Sequence, residues 1–317
     1  MKSYLVENLP ALQHHLQRSR EWHQPENGSS AKAFFFAERE HVFTFDGSVF
    51  RECKPEVKPF VLFGLTACDL TAIAYQDRFF CNDPLYQARR KQALLVGIDC
   101  VTPCANGFCT VVEAGPAVAN NHADLILTSL PNNEWLLTVC SLSGEQAVAG
   151  LTLSFARENQ QQQRDEAIAN CIRQFPDQTY LREGIAAIEK DKVPQQAWQE
   201  LAIQCLGCTG CTMLCPTCSC YGTRAVVDEE KDEGSGHYRQ ERFWDSCLLE
   251  GFQRETSFHN PSADPGSRVH RFWHHKFGKH FATKFGRYGC VGCGRCEQAC
   301  PGMIGVHSLM KRISGHV

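Results

Sequence analysis

CLGCTGCTMLCPTCSC (residues 205–220) puts six cysteines into sixteen residues, more thiol than one four-ligand metal site can use. Zinc, disulfides and iron–sulfur clusters are the three chemistries such a run could serve. The spacing narrows the choice. Cys205, Cys208, Cys211 and Cys215 followed by Pro216 read C-x2-C-x2-C-x3-C-P, and Cys290, Cys293, Cys296 and Cys300 followed by Pro301 repeat the run. This is the ferredoxin spacing for cubane clusters, in which the fourth cysteine serves the other cluster. Three thiolates with two residues between them reach three irons of one cube, whereas a fourth, on the helix leaving the loop, points away. One [4Fe–4S] cluster is therefore expected on Cys205, Cys208, Cys211 and Cys300, and a second on Cys290, Cys293, Cys296 and Cys215. Gly207, Gly210, Gly292 and Gly294, set between the ligands, let backbone amides approach the sulfides. Structural zinc prefers paired C-x2-C or mixed Cys/His sets, so a zinc-organised interaction module is the contrasting reading.

The chain around this motif has 317 residues, enough for about two domains with their own cores. Its 43% hydrophobic content and five tryptophans describe a globular protein. Nineteen cysteines, an odd number in tight local clusters, argue against a disulfide framework. The N-terminus, MKSYLVENLPALQHH, lacks the pattern of a secretory signal. The longest apolar run, FVLFGLTAC (60–68), is far shorter than the roughly 18 residues of a membrane span. A formal charge of −3 gives no long-range attraction to nucleic acid or to an acidic membrane. A cytoplasmic protein, with no nucleic-acid partner and not integral to a membrane, is expected.

The fold class read from these patterns is α+β: an N-terminal α/β domain over 1–155, a helical linker over 156–198 and an α-helical ferredoxin-type dicluster domain over 199–317. Short apolar or aromatic runs at AFFF (33–36), HVFTF (41–45), FVLFGL (60–65), ALLVGI (93–98), DLILT (124–128) and EWLLTV (134–139) read as strands. DLTAIAYQDRFF (69–80), with Asp69 as N-cap, reads as a helix between the third and fourth and completes a parallel βαβ unit. RENQQQQRDE (157–166) is a polar, helix-prone stretch, and KVPQQAW (192–198) a Pro-containing linker. DEEKDEGSGHYRQ (228–240) reads as a hairpin or loop, and the aromatic, basic segment 268–287 as one helix packed on a neighbour. The 74 residues between Cys215 and Cys290 far exceed the separation in a compact ferredoxin, hence the helical form.

Two further groups of cysteines remain. Cys68 follows the strand at 60–65 and Cys100 follows the strand at 93–98, so both stand at carboxyl ends of parallel strands, the edge where α/β sheets build sites. Cys104 and Cys109 follow on the next loop. A third cluster on Cys68, Cys100, Cys104 and Cys109 is one reading; scattered core thiols, the reading for Cys53, Cys81, Cys140 and Cys171, is the other. Cys218, Cys220 and Cys247 are part of a further site in one reading and buried packing thiols that shield the first cluster in the other, favoured one. His274, His275 and His280 have no ligand spacing to cysteine. The basic residues Arg268, Arg271, Lys276, Lys279, Lys284 and Arg287 either offset cluster charge or form a solvated face. No nucleotide or flavin fingerprint is present and no catalytic centre is expected.

KPFVLFGLTACDLTAI (58–73), DPLYQARR (83–90), GFCT (107–110), CLGCTGCTMLCPTCSCY (205–221), WDSCLLEGF (244–252) and YGCVGCGRCEQACP (288–301) together resemble a known family. It comprises the iron–sulfur beta subunits of cytoplasmic NAD(P)-linked [NiFe] hydrogenases (sulfhydrogenases) and the A subunit of anaerobic sulfite reductase. The resemblance implies an electron-transfer subunit that works between a flavin/NAD(P)-binding subunit and a catalytic subunit, a [NiFe] hydrogenase or a sirohaem sulfite reductase. It also implies the α-helical ferredoxin fold and family positions at Cys68, Cys100 and Cys109. Members often carry a cysteine two residues before Cys109, where this chain has Gly107, leaving Cys104 as the substitute. Cys218, Cys220 and Cys247 recur in the family pattern as well.

Overall fold

The structure is a computed structural model that describes residues 2–26, 28–227 and 237–315. Its N-terminal half runs β1 (Lys2–Val6), α1 (Leu9–Gln17), β2 (Glu21–His23), β3 (Arg39–Asp46), β4 (Phe50–Glu52), β5 (Phe60–Thr66), α2 (Ala67–Phe79), α3 (Pro84–Arg90), β6 (Ala93–Ile98), β7 (Leu125–Ser129), β8 (Trp135–Val139), α4 (Leu142–Val148) and β9 (Ser154–Phe155). The remainder runs α5 (Glu158–Arg173), α6 (Thr179–Glu189), α7 (Gln195–Gln204), α8 (Gly210–Leu214), β10 (Tyr221–Val227), β11 (His237–Trp244), α9 (Pro265–Phe277), α10 (Lys279–Phe285), α11 (Arg295–Gln298) and α12 (Val306–Ser314). The class is α+β.

A seven-stranded sheet in the order β2-β5-β6-β7-β8-β1-β9 carries the first half. Pairing is parallel from β2 to β7 and antiparallel from β7 to β9. The β5–α2–β6 unit read from the sequence is present. Continuous apolar runs such as FVLFGL suit strands covered on both faces, and both faces are covered here. Leu12, Leu16, Ala147 and Val148 of α1 and α4 pack on one side, and Leu70, Ile73 and Tyr86 of α2 and α3 on the other.

Some expectations fail locally. AFFF is not a strand: Ala31–Phe34 form a 3₁₀ turn whose N-cap Ser30 Oγ accepts from Lys32 N at 3.0 Å, and Phe35 and Phe36 plug the core. Asp69 is not the N-cap of α2; Thr66 holds that place and Asp69 sits in the first turn. The aromatic segment 268–287 is two helices, α9 and α10, because Gly278 leaves helical geometry (φ −66, ψ 136). β1, at the very start of the chain, pairs with β8 and β9 although no sequence pattern had marked it.

A second, four-stranded antiparallel sheet has the order β10-β11-β3-β4, so strands from beyond residue 220 complete a sheet begun before residue 53. The polar connection at 228–236 lies outside the described residues. The third core gathers Trp198, Leu201, Phe272, Trp273, Phe277, Leu309 and Met310 from α7, α9 and α12, with the cysteines of both runs except Cys208 packed around it. Among the described residues no helix is long and apolar enough to cross a membrane.

Candidate metal centres

Both cysteine runs adopt the same backbone. Gly207 (φ +62) and Thr209 (φ +63) bracket Cys208, as Gly292 (φ +66) and Gly294 (φ +71) bracket Cys293. Left-handed residues on either side of the middle cysteine curl each run into a tight loop, a conformation in which glycine meets no Cβ penalty. Each loop then enters a short helix, α8 or α11; the two helices pack on each other, and the fourth cysteine lies beyond its helix.

The last thiol of each run has neighbours in the other run. Burial pushes the Cys211 thiol up to about 12, and the thiolate charges of Cys205, Cys215, Cys300 and Cys208 push in the same direction. Cys205, Cys208, Cys211, Cys296 and Cys300 line one small cavity, with Phe272 and Trp273 forming part of its wall. Around the other loop, burial lifts Cys290 to about 12, with Cys293 and Cys215 adding to it. Burial holds Cys296 well above the ordinary thiol range, again with Cys290, Cys293 and Cys215 contributing. The structure thus brings Cys300 to the first loop and Cys215 to the second.

Thiols gathered this way suit an iron–sulfur cube. Metal ligation needs thiolates, and iron set between them offsets the repulsion and burial that raise Cys211, Cys290 and Cys296. Among the described residues no three His, Cys, Asp or Glu side chains converge on a single ion's position. Thiolates of a cube bind different irons and so stand further apart than ligands of one ion. Backbone donors point at the sulfurs, from Gly292 N to Cys290 Sγ and from Ile304 N to Cys300 Sγ, both at 3.4 Å.

The sequence reading divided the basic residues between two roles, and the structure separates them. Lys276 is buried and donates from Nζ to Cys215 Sγ (3.2 Å), Cys218 Sγ (3.3 Å) and Thr217 Oγ1 (2.9 Å). Burial by itself works against its ammonium, but the Cys215 and Cys218 thiolates outweigh that and hold it well above the usual lysine range. Lys279 and Lys284 are exposed. A second buried ammonium, missed in the sequence, is Lys32. It donates to Thr212 O (3.3 Å) and Met213 O (3.0 Å) and lies 3.8 Å from the Trp244 ring centroid.

Cys218, Cys220 and Cys247 gather beside the second loop. Cys218 is hydrogen-bonded to Cys215, and Cys220 to Cys247. The Cys247 hydrogen bond, which outweighs burial, lowers Cys220 to about 7. His275 and His280 meet Phe281 edge-on and make no cysteine contact among those described.

The loop after β6 presses on the second run. Phe108 N donates to Gly292 O at 2.8 Å, and His307 Nε2 lies 2.9 Å from Asn106 O. A Cβ at Gly292 would stand 2.6 Å from both Cys109 N and the Phe108 carbonyl carbon. Burial raises Cys100 and Cys109 to about 12 each, and each is also raised by Cys104 and by Cys171. Cys68 faces elsewhere: its thiol lies 3.2 Å from Thr66 Oγ1, and after burial and Asp69 the charge that most raises it is that of Cys293. Cys171, read in the sequence as a core thiol, is the addition to this group. Cys81 is exposed rather than in the core.

Arg295, between Cys293 and Cys296, reaches back to the first half of the chain. Its Nη1 and Nη2 donate to Asp69 Oδ1 and Oδ2 at 2.7 and 2.9 Å. No sequence signal had paired these residues, which lie 226 positions apart.

Comparison with known proteins agrees with this picture. Residues 204–304 match the family described as a 4Fe-4S dicluster domain. Sulfhydrogenase 2 subunit beta of Pyrococcus furiosus is 31% identical over 288 residues, covering 86% of this chain and 79% of that protein. With both cysteine runs inside the matched segment and the identity extending over most of the first half, the chain belongs to the family of iron–sulfur beta subunits of sulfhydrogenases.

Proposed function

We propose that this chain is the electron-relay subunit of a cytoplasmic hydrogenase-type complex, passing electrons between a flavin/NAD(P)-binding subunit and a [NiFe] catalytic subunit. The observation that carries the reading is the gathering of Cys300 with Cys205, Cys208 and Cys211, and of Cys215 with Cys290, Cys293 and Cys296. These two sets would hold one [4Fe–4S] cluster each, in an α-helical ferredoxin-type domain over 199–317 that the linker at 156–198 joins to the first domain. A third would lie on the loop after β6. Bound cubes supply reversible one-electron storage.

The chain's own residues do the rest. The Gly292 and Ile304 amides donate to ligand sulfurs, and Lys276 places a positive charge against Cys215. In this reading the centres lie in a row. The first cavity shares Cys296 with the second loop, and the second loop touches the third at Gly292. Cys208 at one end and Cys104 at the other are exposed. Leu206, 70% exposed, lines the first cavity, and Ile203 (83%) and Met303 (74%), within two residues of its lining, are exposed too; this reading places contact with a partner subunit there. The sulfhydrogenase name of the relative favours a nickel-containing partner over a sirohaem one.

The test is iron and acid-labile sulfide per chain in protein purified without air. Two cubes give about eight irons and three give about twelve; colourless, iron-free protein would overturn the reading and favour zinc. Nickel in the co-purified complex identifies the catalytic partner, and sirohaem there would contradict it.

Lys276→Met is expected to lower the potential of the centre that Cys215 holds, since a buried cation favours the more negative reduced state. It should also cost about 3–5 kcal/mol, the range for removing one member of a buried charge pair. Anaerobic redox titration and guanidinium unfolding read the two effects; an unmoved potential would show the ammonium to be structural only.

A further inference from the structure

We propose that Cys171 is the fourth ligand of the third centre, joining Cys100, Cys104 and Cys109 from α5, a helix outside the loop that carries the other three. The proposal rests on the third-centre reading above and changes its ligand set, replacing Cys68. The loop itself offers three thiols. Position 107 has no side chain, and its backbone is folded tightly against Cys104, with a Cβ there standing 3.2 Å from Cys104 Cβ.

Helix α5 is pinned across this loop at two points. Near its middle, Arg164 Nε donates to Asp99 Oδ2 at 2.7 Å, one residue before Cys100. Asp99 is itself fixed, accepting from Val118 N at 2.7 Å and Thr128 Oγ1 at 2.6 Å. Just past the helix, Gln178 Nε2 donates to Gly107 O at 2.9 Å. Arg164 and Cys171 are seven residues apart, two helical turns, and therefore share a face. The face that Arg164 turns to Asp99 thus carries Cys171 over the loop between the two anchors.

The surroundings of Cys171 point the same way. It has 0% exposure, yet it belongs to none of the three apolar clusters formed by the described residues. Its electrostatic neighbours are thiols: Cys104 acts on it, and it acts on Cys100 and Cys109. Cys171 is thus fully buried and neighboured by the three thiols of the loop. Cys68 turns instead toward Thr66 and Cys293. Ligation forms one sulfur–iron bond and releases the Cys171 proton, with no change in oxidation state.

The experiment counts iron and acid-labile sulfide per chain in anaerobically prepared wild type, Cys171→Ala and Cys68→Ala. The expected result is about twelve irons in wild type and Cys68→Ala and about eight in Cys171→Ala. Twelve in Cys171→Ala with eight in Cys68→Ala overturns the proposal while leaving the third centre standing. Eight in wild type removes the third centre itself. If Cys171→Ala does not accumulate as folded protein, Cys171→Ser, which keeps a donor of similar size, is read by electron paramagnetic resonance after reduction. One altered cubane signal beside unaltered ones supports ligation, and a spectrum identical to wild type overturns it.

Discussion

Replacing Gly294 by alanine is expected to destabilise the protein by roughly 2–5 kcal/mol and to strip iron from the second centre. Two costs add. Residue 294 has φ +71, where an L side chain costs about 1–2 kcal/mol. The new Cβ would lie 2.6 Å from the Asn106 carbonyl carbon and closer still to its oxygen, and overpacking of that kind costs about 1–3 kcal/mol. The loop cannot easily retreat, because Asn106 O is also held by His307 Nε2 at 2.9 Å. Gly207→Ala separates the two costs. That residue has φ +62, but no described atom comes within 4 Å of a Cβ there, so only the conformational part, about 1–2 kcal/mol, should appear. Anaerobic guanidinium unfolding and iron per chain measure both variants. Equal losses at 207 and 294 would show that contact between the second loop and residues 106–109 contributes nothing.

That contrast also marks what the sequence could and could not reveal. Each cysteine run is legible because its chemistry is local: ligand spacing, small residues and the left-handed turns lie within about a dozen positions, and the expectation that fourth cysteines are exchanged comes from the run itself. The strands at 60–65, 93–98 and 124–139 were legible for the same reason, since burial on both faces leaves a continuous apolar signature. What escaped depends on registers that no local pattern encodes. AFFF has the composition of a strand, but Ser30 caps a 3₁₀ turn there and the phenylalanines point into a core built by α2 and α3. The pairing of β11 with β3 joins segments about 200 residues apart. Cys171 lies in a polar, glutamine-rich helix whose composition says only that it is helical. Its neighbourhood becomes visible once Arg164 and Gln178 have pinned that helix over the loop.

The Asp69–Arg295 pair is the place where such long-range structure should be most costly to disturb. Arg295→Met is expected to cost about 3–5 kcal/mol, because it leaves the Asp69 carboxylate buried against the Cys68 and Cys293 thiols with its main partner gone. Burial by itself opposes the guanidinium charge, but Asp69 outweighs burial and raises Arg295 further above its usual range. Thr66 Oγ1, donating to Asp69 Oδ2 at 2.9 Å, can replace only part of what is lost. A cycle with Asp69→Leu separates the pair from its desolvation. Each single variant should lose several kcal/mol, while the double variant recovers most of it, since apolar replacement of both partners of a buried ion pair is often close to neutral. Stability alone would not tie the pair to electron transfer. Because Arg295 is also the cation nearest in sequence to Cys293, its loss should lower the second centre's potential in a redox titration, whereas Asp69→Leu should raise it. Shifts of opposite sign are the signature of charge acting on the centre; shifts of the same sign would mean that both variants act through distortion of the loop.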